Sequence, residues 1–267
     1  MPREEAKAPP VPAPERAAVL VDSKGAVELR RGSEPWSQAA TGTRLGESDA
    51  LRTGADGEAQ LSVDGVRVKL HDHSEIRLTA ASSGLLRARV RGRIESEVEE
   101  GKGQVGLQVE DGAVAESSGG HFLLTAEGNT VTVAATRGSV RVAANGKSVD
   151  VREGQLTRMA AKGELARPTP ALRRVLLAVQ WPGDKTNRSS IPLSGRTLPG
   201  SRIYVQGQLV QVSPSGEFYA DVQLHEGQQK IAVVAVDPFG RRKWDESQIT
   251  RDQSLPQVRA VASPWLR

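Results

Sequence analysis

The residues best placed to do chemistry form two charged runs in one segment, RARVRGRIESEVE, at positions 87–99. Side chains at every second position of a strand lie on the same face of its sheet. The segment therefore predicts one row of charges, formed in order by Arg87, Arg89, Arg91, Arg93, Glu95, Glu97 and Glu99. We interpret this row as a candidate partner-binding strip.

The strip leaves three alternatives open. Guanidinium groups alone would suit phosphate or an anionic polysaccharide. The adjacent carboxylates offer charge pairing with a neighbouring strand or a neighbouring molecule, which would serve self-association or docking of another protein. The third alternative is a solvated strand face without a partner.

Imidazole and carboxylate groups occur together in HDHSE, residues 71–75. On a strand, His71, His73 and Glu75 would share one face, and such donors can bind zinc. His121 and His225 are distant in sequence, so we interpret this segment as turn residues. We expect neither a metal nor a cofactor.

The segment GKGQVG, residues 101–106, fits the pattern GxGxxG. That pattern holds a dinucleotide only where a strand precedes it and a helix follows it. Here another alternating run follows, so we predict a glycine-rich hairpin. The chain has four His and no Cys, and no nucleophile, paired-carboxylate cleft or phosphate cradle stands out, so we predict that it is not an enzyme.

The elements that would position these residues are short strands. Apolar and polar residues alternate through the segment 42–78, with breaks at Gly54–Gly57 and Asp64–Gly65. Alternation predicts half-buried strands, and the Gly and Asp residues supply the backbone conformations of tight turns. The pattern predicts a meander of short strands.

The same stretch resembles the FecR domain. The matching positions are Gly42, Leu45, Asp49–Leu51, Arg52–Gly54, Ala59–Leu61, Asp64–Gly65, Val68, Leu70 and Ser74, and later Thr132–Val133, Gly138–Val142 and Glu153–Gln155. Gly120 stands where the family usually has Thr. The resemblance covers about residues 19–159 and implies a FecR-like β-meander or solenoid-like β-roll, a place beyond the inner membrane and no catalytic residues.

The C-terminal part differs in kind. After Trp181, five strand-like runs follow at short spacing, each closed by Gly, Pro or Asp, which is typical of an all-β sandwich. This part resembles bacterial immunoglobulin-like modules of the glucodextranase B-like family through Gly195, Thr197, Pro199–Gly200, Val205, Gly207, Val212, Gly216, Phe218, Leu224, Glu226–Gly227, Ile231, Val233, Ala235, Asp237 and Gly240. Here we expect Phe218, Ala220 and Val222 to pack against Ile231, Val233 and Ala235.

Composition shifts predict the domain limits. They are a Pro- and Ala-rich tether at 1–17, a FecR-like domain at 18–160, a linker at 161–172, an immunoglobulin-like sandwich at 173–250 and a flexible tail at 251–267. Among the aromatic residues, Trp36 is interpreted as a loop anchor or a sugar platform and Trp244 as a core or edge residue. We predict a partner contact for Trp265.

Charge and hydropathy bound the setting. The net charge of +4 is too small to indicate nucleic-acid binding, and no apolar run approaches the roughly 20 residues that span a bilayer. We expect a periplasmic or cell-envelope protein whose leader or anchor is missing from this chain, with membrane contact only through that anchor or a partner. The cytoplasm is the alternative.

The expected function is non-enzymatic: a protein–protein interaction or scaffold component of a bacterial cell-envelope assembly, with other envelope proteins as partners. Two alternatives stay open. One is a periplasmic signal-sensing regulator of FecR type. The other is a carbohydrate- or peptidoglycan-binding module.

Overall fold

A computed structural model describes residues 18–110, 112–128, 130–159 and 164–254. All of its regular elements are strands, which confirms the all-β class. They are β1 (Ala18–Lys24), β2 (Val27–Arg30), β3 (Ser37–Gln38), β4 (Arg44–Leu45), β5 (Ala50–Thr53), β6 (Glu58–Val63), β7 (Val66–Leu70), β8 (Glu75–Ser82), β9 (Leu85–Val98), β10 (Gln104–Gln108), β11 (Val114–Ser117), β12 (Gly120–Glu127), β13 (Thr130–Ala144), β14 (Lys147–Arg152), β15 (Gln155–Met159), β16 (Thr169–Pro170), β17 (Leu177–Gln180), β18 (Lys185–Thr186), β19 (Ser190–Thr197), β20 (Arg202–Val205), β21 (Gln208–Val210), β22 (Glu217–Gln223), β23 (Gly227–Val236) and β24 (Arg242–Arg251).

The described residues divide into two compact units. The first contains those up to 127 and those from 131 to 169, and the second contains those from 128 to 130 and from 170 onward. The predicted tether at 1–17, most of the predicted tail and Trp265 lie outside the described residues. In the described part no helix has the length and apolarity needed to cross a membrane.

The first unit is built from two sheets that share two long strands. One sheet has the order β4-β1-β6-β7-β9-β12-β13-β15, and the other has the order β3-β2-β5-β8-β9-β10-β11-β13-β14. Strand β9 pairs with β8 through its first half, Leu85–Arg91, and with β12 through its second half, Gly92–Val98. Strand β13 changes sheets in the same way. These strands have 14 and 15 residues, and are longer than the short strands that the alternation predicts.

The core of this unit follows from the alternation. Every second residue of β6 and β7 is buried, as are the even-numbered residues of β9 from Leu86 to Val98. The inward side chains form one continuous cluster of Val, Leu, Ile and Ala, with Phe122 as its aromatic member. Burial of this apolar surface is the main term that stabilises the unit.

Strand β9 changes sheets at Gly92. The backbone there has φ of +84°, and a Cβ atom would lie 2.5 Å from the backbone oxygen of His73, so only glycine fits. Ser74 joins the backbone at this point: its Oγ accepts a hydrogen bond from the Arg93 N–H (2.9 Å) and donates to the Arg93 carbonyl (3.1 Å). The Ser74 N–H in turn donates to Oγ1 of Thr53. These side chains satisfy backbone groups that the change of sheet would leave unpaired.

The glycine-rich segment 101–106 is not the predicted hairpin. Strand β10 pairs in parallel with the first half of β9, with Gln104 opposite Leu85. Residues 99–103 therefore lead from the end of β9 in one sheet to a new strand in the other. Alternation predicted the strand correctly, but it carries no information on pairing direction.

The second unit has a three-stranded sheet, β17-β19-β22, and a five-stranded sheet, β18-β24-β23-β20-β21. Its apolar cluster contains Phe218 and Val222 from the first sheet and Ile231, Val233 and Ala235 from the second, with Ala220 packed against it. This confirms the predicted packing across the two sheets.

Candidate partner-binding site

The predicted strip divides into two halves at Gly92. Arg87, Arg89 and Arg91 are exposed and lie in the part of β9 that pairs with β8 and β10. We call them the arginine half. Glu95 and Glu97 lie in the part that pairs with β7 and β12, and with Glu99 they form the glutamate half.

Arg93 corrects the sequence interpretation. It lies on the same parity of β9 as the other arginines, but it is only 2% exposed. The reason is its place directly after Gly92, where β9 leaves one sheet for the other. Its side chain is therefore not part of the exposed row.

The outer carboxylates of the glutamate half are already paired. Glu97 accepts from Arg67 and from Arg137, both at 3.1 Å. Glu99 lies 2.8 Å from the ammonium of Lys102, whose hydrogen bond and charge hold the pKa of Glu99 below its usual value. The second sequence alternative was charge pairing of the carboxylates with a neighbouring strand or a neighbouring molecule. The observed pairs are of the first kind, because all of their partners belong to this chain.

Glu95 is held by two histidines. Its Oε1 lies 2.8 Å from Nε2 of His121 in β12, and its Oε2 lies 3.0 Å from Nε2 of His71 at the end of β7. The hydrogen bond from His121, followed by that from His71, holds the pKa of Glu95 well below its usual range, against the effect of partial burial. We call these three residues the His–Glu cluster.

Sequence reasoning missed this cluster. The strand order β7-β9-β12 that brings the two histidines to Glu95 is a tertiary feature, and β12 itself does not alternate between buried and exposed residues. His73, which was grouped with His71 in the sequence, is exposed in a turn with φ of +50°. Among the described residues, no group of His, Asp and Glu has the arrangement that a metal ion requires.

The surroundings of His121 can be compared with a nucleophilic triad. Its Nδ1 contacts Oγ1 of Thr136, so that hydroxyl, imidazole and carboxylate follow one another. However, the Thr136 hydroxyl donates its proton to the backbone oxygen of His121 at 3.1 Å. The contacts of Thr136, His121 and Glu95 connect β13, β12 and β9.

The arginine half faces a further arginine. Arg77 of β8 lies directly opposite Arg89, and Glu75 lies opposite Arg91. Glu75 is 3.7 Å from a guanidinium nitrogen of Arg30. A groove of about 470 Å³ on this face is lined mainly by charged side chains, namely Arg30, Glu75, Arg77, Arg89, Arg91 and Glu110. We call it the arginine groove.

Trp36 stands at the margin of the same sheet. The guanidinium carbons of Arg30 and Arg52 lie 4.5 and 4.4 Å from its ring centre. Arg52 also binds Glu28 at 2.6 Å. Trp36 thus takes part in a cation–π arrangement rather than offering a bare ring to a sugar.

The other predicted aromatic positions have different outcomes. Trp244 is not in the core, because it lies within β24 and is 61% exposed. In the described residues β18 pairs with β24 only at Thr250 and Arg251, so Trp244 lies on an edge part of its sheet, which agrees with the edge interpretation. It stands opposite Val234, which stands opposite Tyr204. Trp265 lies outside the described residues, so its partner contact stays a prediction.

Comparison with known proteins gives one family match. Residues 49–156, which include β5 to β14, the first two residues of β15 and the whole charged strip, match the profile of the family described as FecR protein. No curated protein matches the chain.

Some solved structures are similar to parts of the chain. Two crystal structures of a protein assigned as an anti-sigma factor from Parabacteroides distasonis ATCC 8503 align with 16% and 17% identity and TM-scores of 0.41 and 0.40. They cover 46% and 45% of this chain, which spans 59% and 58% of theirs. The fibronectin(III)-like modules of CbhA from Clostridium thermocellum align over 68% of this chain and 96% of theirs, with 10% identity and a TM-score of 0.26.

Proposed function

We propose that this chain is a non-enzymatic protein-binding component of a bacterial cell-envelope assembly. The observation that carries the proposal is the contrast between the two halves of β9. The carboxylates of the glutamate half have partners within the chain, whereas Arg87, Arg89 and Arg91 make no ion pair with any described residue. Exposed guanidinium groups on a rigid sheet face suit recognition of another protein.

The proposal assigns no catalytic step. The most reactive-looking group, the His–Glu cluster with Thr136, uses its donors and acceptors to connect strands. An enzyme would need such groups to converge on space for a substrate. In this proposal the FecR-like domain presents the arginine half, and an immunoglobulin-like module follows it in the chain.

A periplasmic signal-sensing regulator of FecR type is the second candidate. The match of residues 49–156 to the FecR protein family favours it. In that case the partner bound at the arginine half would belong to a signalling chain that ends at a sigma factor. Both candidates place the protein in the periplasm or envelope.

A glycan-binding role has one observation in its favour, the exposed ring of Trp244. Loss of retention on purified peptidoglycan after Trp244→Ala would support this role. Trp36→Ala serves as the comparison, because the Trp36 ring already lies against two guanidinium groups.

The proposed function is tested by cross-linking in the native cells. A photo-reactive residue replaces Arg87 in the arginine half, and a control variant carries it at Lys230 of β23. A defined set of envelope proteins captured from position 87 and not from 230 would support a scaffold. Capture of one sigma-factor pathway protein would favour the regulator, and no capture from either position would contradict both.

A further inference from the structure

The arginine groove contains a charge arrangement that the residues described by the structure do not balance. Arg77 and Arg89 are direct cross-strand neighbours, and like charges in that relation repel each other. Glu75 lies opposite Arg91 and is 3.7 Å from the guanidinium group of Arg30, with which it forms its ion pair. The groove is lined by four guanidinium groups and two carboxylates. Of the four arginines, Arg77, Arg89 and Arg91 make no ion pair with any residue that the structure describes.

The spacing of these charges suits an extended chain. Arg87, Arg89 and Arg91 occupy alternate positions of one strand, so their Cα atoms are about 6.8 Å apart. An extended peptide has the same distance between alternate side chains. Carboxylates at alternate positions of such a peptide could each accept paired hydrogen bonds from one guanidinium group.

The lining also distinguishes between classes of anion. Glu75 and Glu110 lie among the arginines, and they would repel a polymer that carries a negative charge on every unit, such as a nucleic acid or an anionic polysaccharide. A peptide can place neutral or basic residues opposite these carboxylates. Gln108 of β10 lies opposite Arg89 of β9, and its side-chain amide can form hydrogen bonds with a peptide backbone.

We propose that the arginine groove binds an extended acidic segment of a partner protein that runs along β9, with Asp or Glu at alternate positions opposite Arg89 and Arg91, and with Arg77 beside Arg89 on the neighbouring strand. This inference rests on the proposed function and gives the chemistry of the partner. The acidic side chains of the segment supply the counter-charge that neighbouring strands do not supply.

The test measures the binding of a fluorescein-labelled peptide with Glu at every second position and Ser between. Fluorescence anisotropy is recorded with the full chain, with R77E/R89E and with the control R173E/R174E, which makes the same change of charge at exposed positions of the second unit. We expect saturable binding that weakens about tenfold or more in R77E/R89E and stays unchanged in the control. A peptide with Gln in place of Glu should not bind.

Three results would overturn the inference: equal binding by wild type and R77E/R89E, equal loss in the control variant, or tighter binding of single-stranded DNA or heparin than of the peptide. If R77E/R89E does not fold, as judged by circular dichroism, R77Q/R89Q replaces it. If cross-linking recovers the same partners from wild type and from the groove variant, the proposed function stands and the inference fails. If wild type recovers no partner, the proposed function itself fails.

Discussion

His71 and His121 hold the two oxygens of the same carboxylate, at 3.0 and 2.8 Å, although they come from different strands on either side of β9. Glu95 therefore connects β7, β9 and β12 through side chains, in addition to the backbone bonds between these strands. The cluster lies in the same sheet as the half of β9 that begins at Gly92. Its effect on stability can be separated from that of ordinary surface ion pairs.

Replacing Glu95 by Gln should lower the free energy of unfolding by about 1.5–3 kcal/mol, since hydrogen bonds to a charged group of this kind contribute roughly that amount. Urea denaturation at neutral pH measures the change. Glu97→Gln is the matched control on the same strand face, and its exposed pairs with Arg67 and Arg137 should contribute at most about 1 kcal/mol. Equal losses of unfolding free energy in the two variants would show that the His–Glu cluster stabilises the fold no more than an exposed ion pair does.

The contribution of Glu95 to the free energy of unfolding should also depend on pH. The pKa of Glu95 is lowered on folding from an ordinary value of 4.5. A group of this kind stabilises the folded state above its ordinary pKa, and its contribution is lost as the pH falls below that value. We expect the wild-type stability to fall more steeply below pH 4.5 than that of Glu95→Gln. Parallel curves for the two proteins would contradict this.

Arg89→Gln should increase stability, by about 0.2–1 kcal/mol, because it removes the repulsion from Arg77. The wild-type protein should gain stability on addition of salt, and the variant should gain less. Arg137→Gln is the control, since it removes an attractive pair with Glu97. A loss of stability in Arg89→Gln would mean that the arginine row is balanced by a partner inside the chain.

Gly92→Ala should destabilise the first unit by about 2 kcal/mol or more. The new Cβ atom would meet the backbone of residues 73 and 74 within 2.7 Å, in addition to the cost of φ at +84°. Gly101→Ala is the control, because Gly101 has φ of +73° and open space around it, so only the conformational cost of about 1 kcal/mol applies. Thermal unfolding of the two variants measures the difference, and similar midpoints would exclude a steric role for Gly92.

The sequence predicted what depends on local pattern. Ala88, Val90, Ile94 and Val98 alternate with the charged residues of β9, so the pattern predicts that they lie on the opposite face, and all four are buried. It could not predict the burial of Arg93, which arises because β9 changes sheets one residue earlier. Hydrophobic period gives the face of a side chain, but it does not give the neighbouring strand.

Because sequence pattern does not give the neighbouring strand, only part of the candidate site could be predicted. The arginine half was visible as a row of exposed charges. The arginine opposite it, Arg77, and the histidines around Glu95 were not grouped with it because strand order and register bring them together. For the same reason the glycine-rich segment 101–106 was predicted as a hairpin. In the structure its strand pairs in parallel with the first half of β9, where Gln104 lies opposite Leu85.

The sharing of β9 between two sheets has a consequence for the order of folding. Its first half is completed by β10 and its second half by β12, and both follow it in the chain. A nascent chain that has released β9 but not β12 therefore carries an unpaired strand edge in each sheet. Such edges readily pair with other chains. Each sheet keeps an unpaired edge until β13 pairs with β11 and β12, so the unit should escape aggregation during synthesis only after residue 144 has left the ribosome.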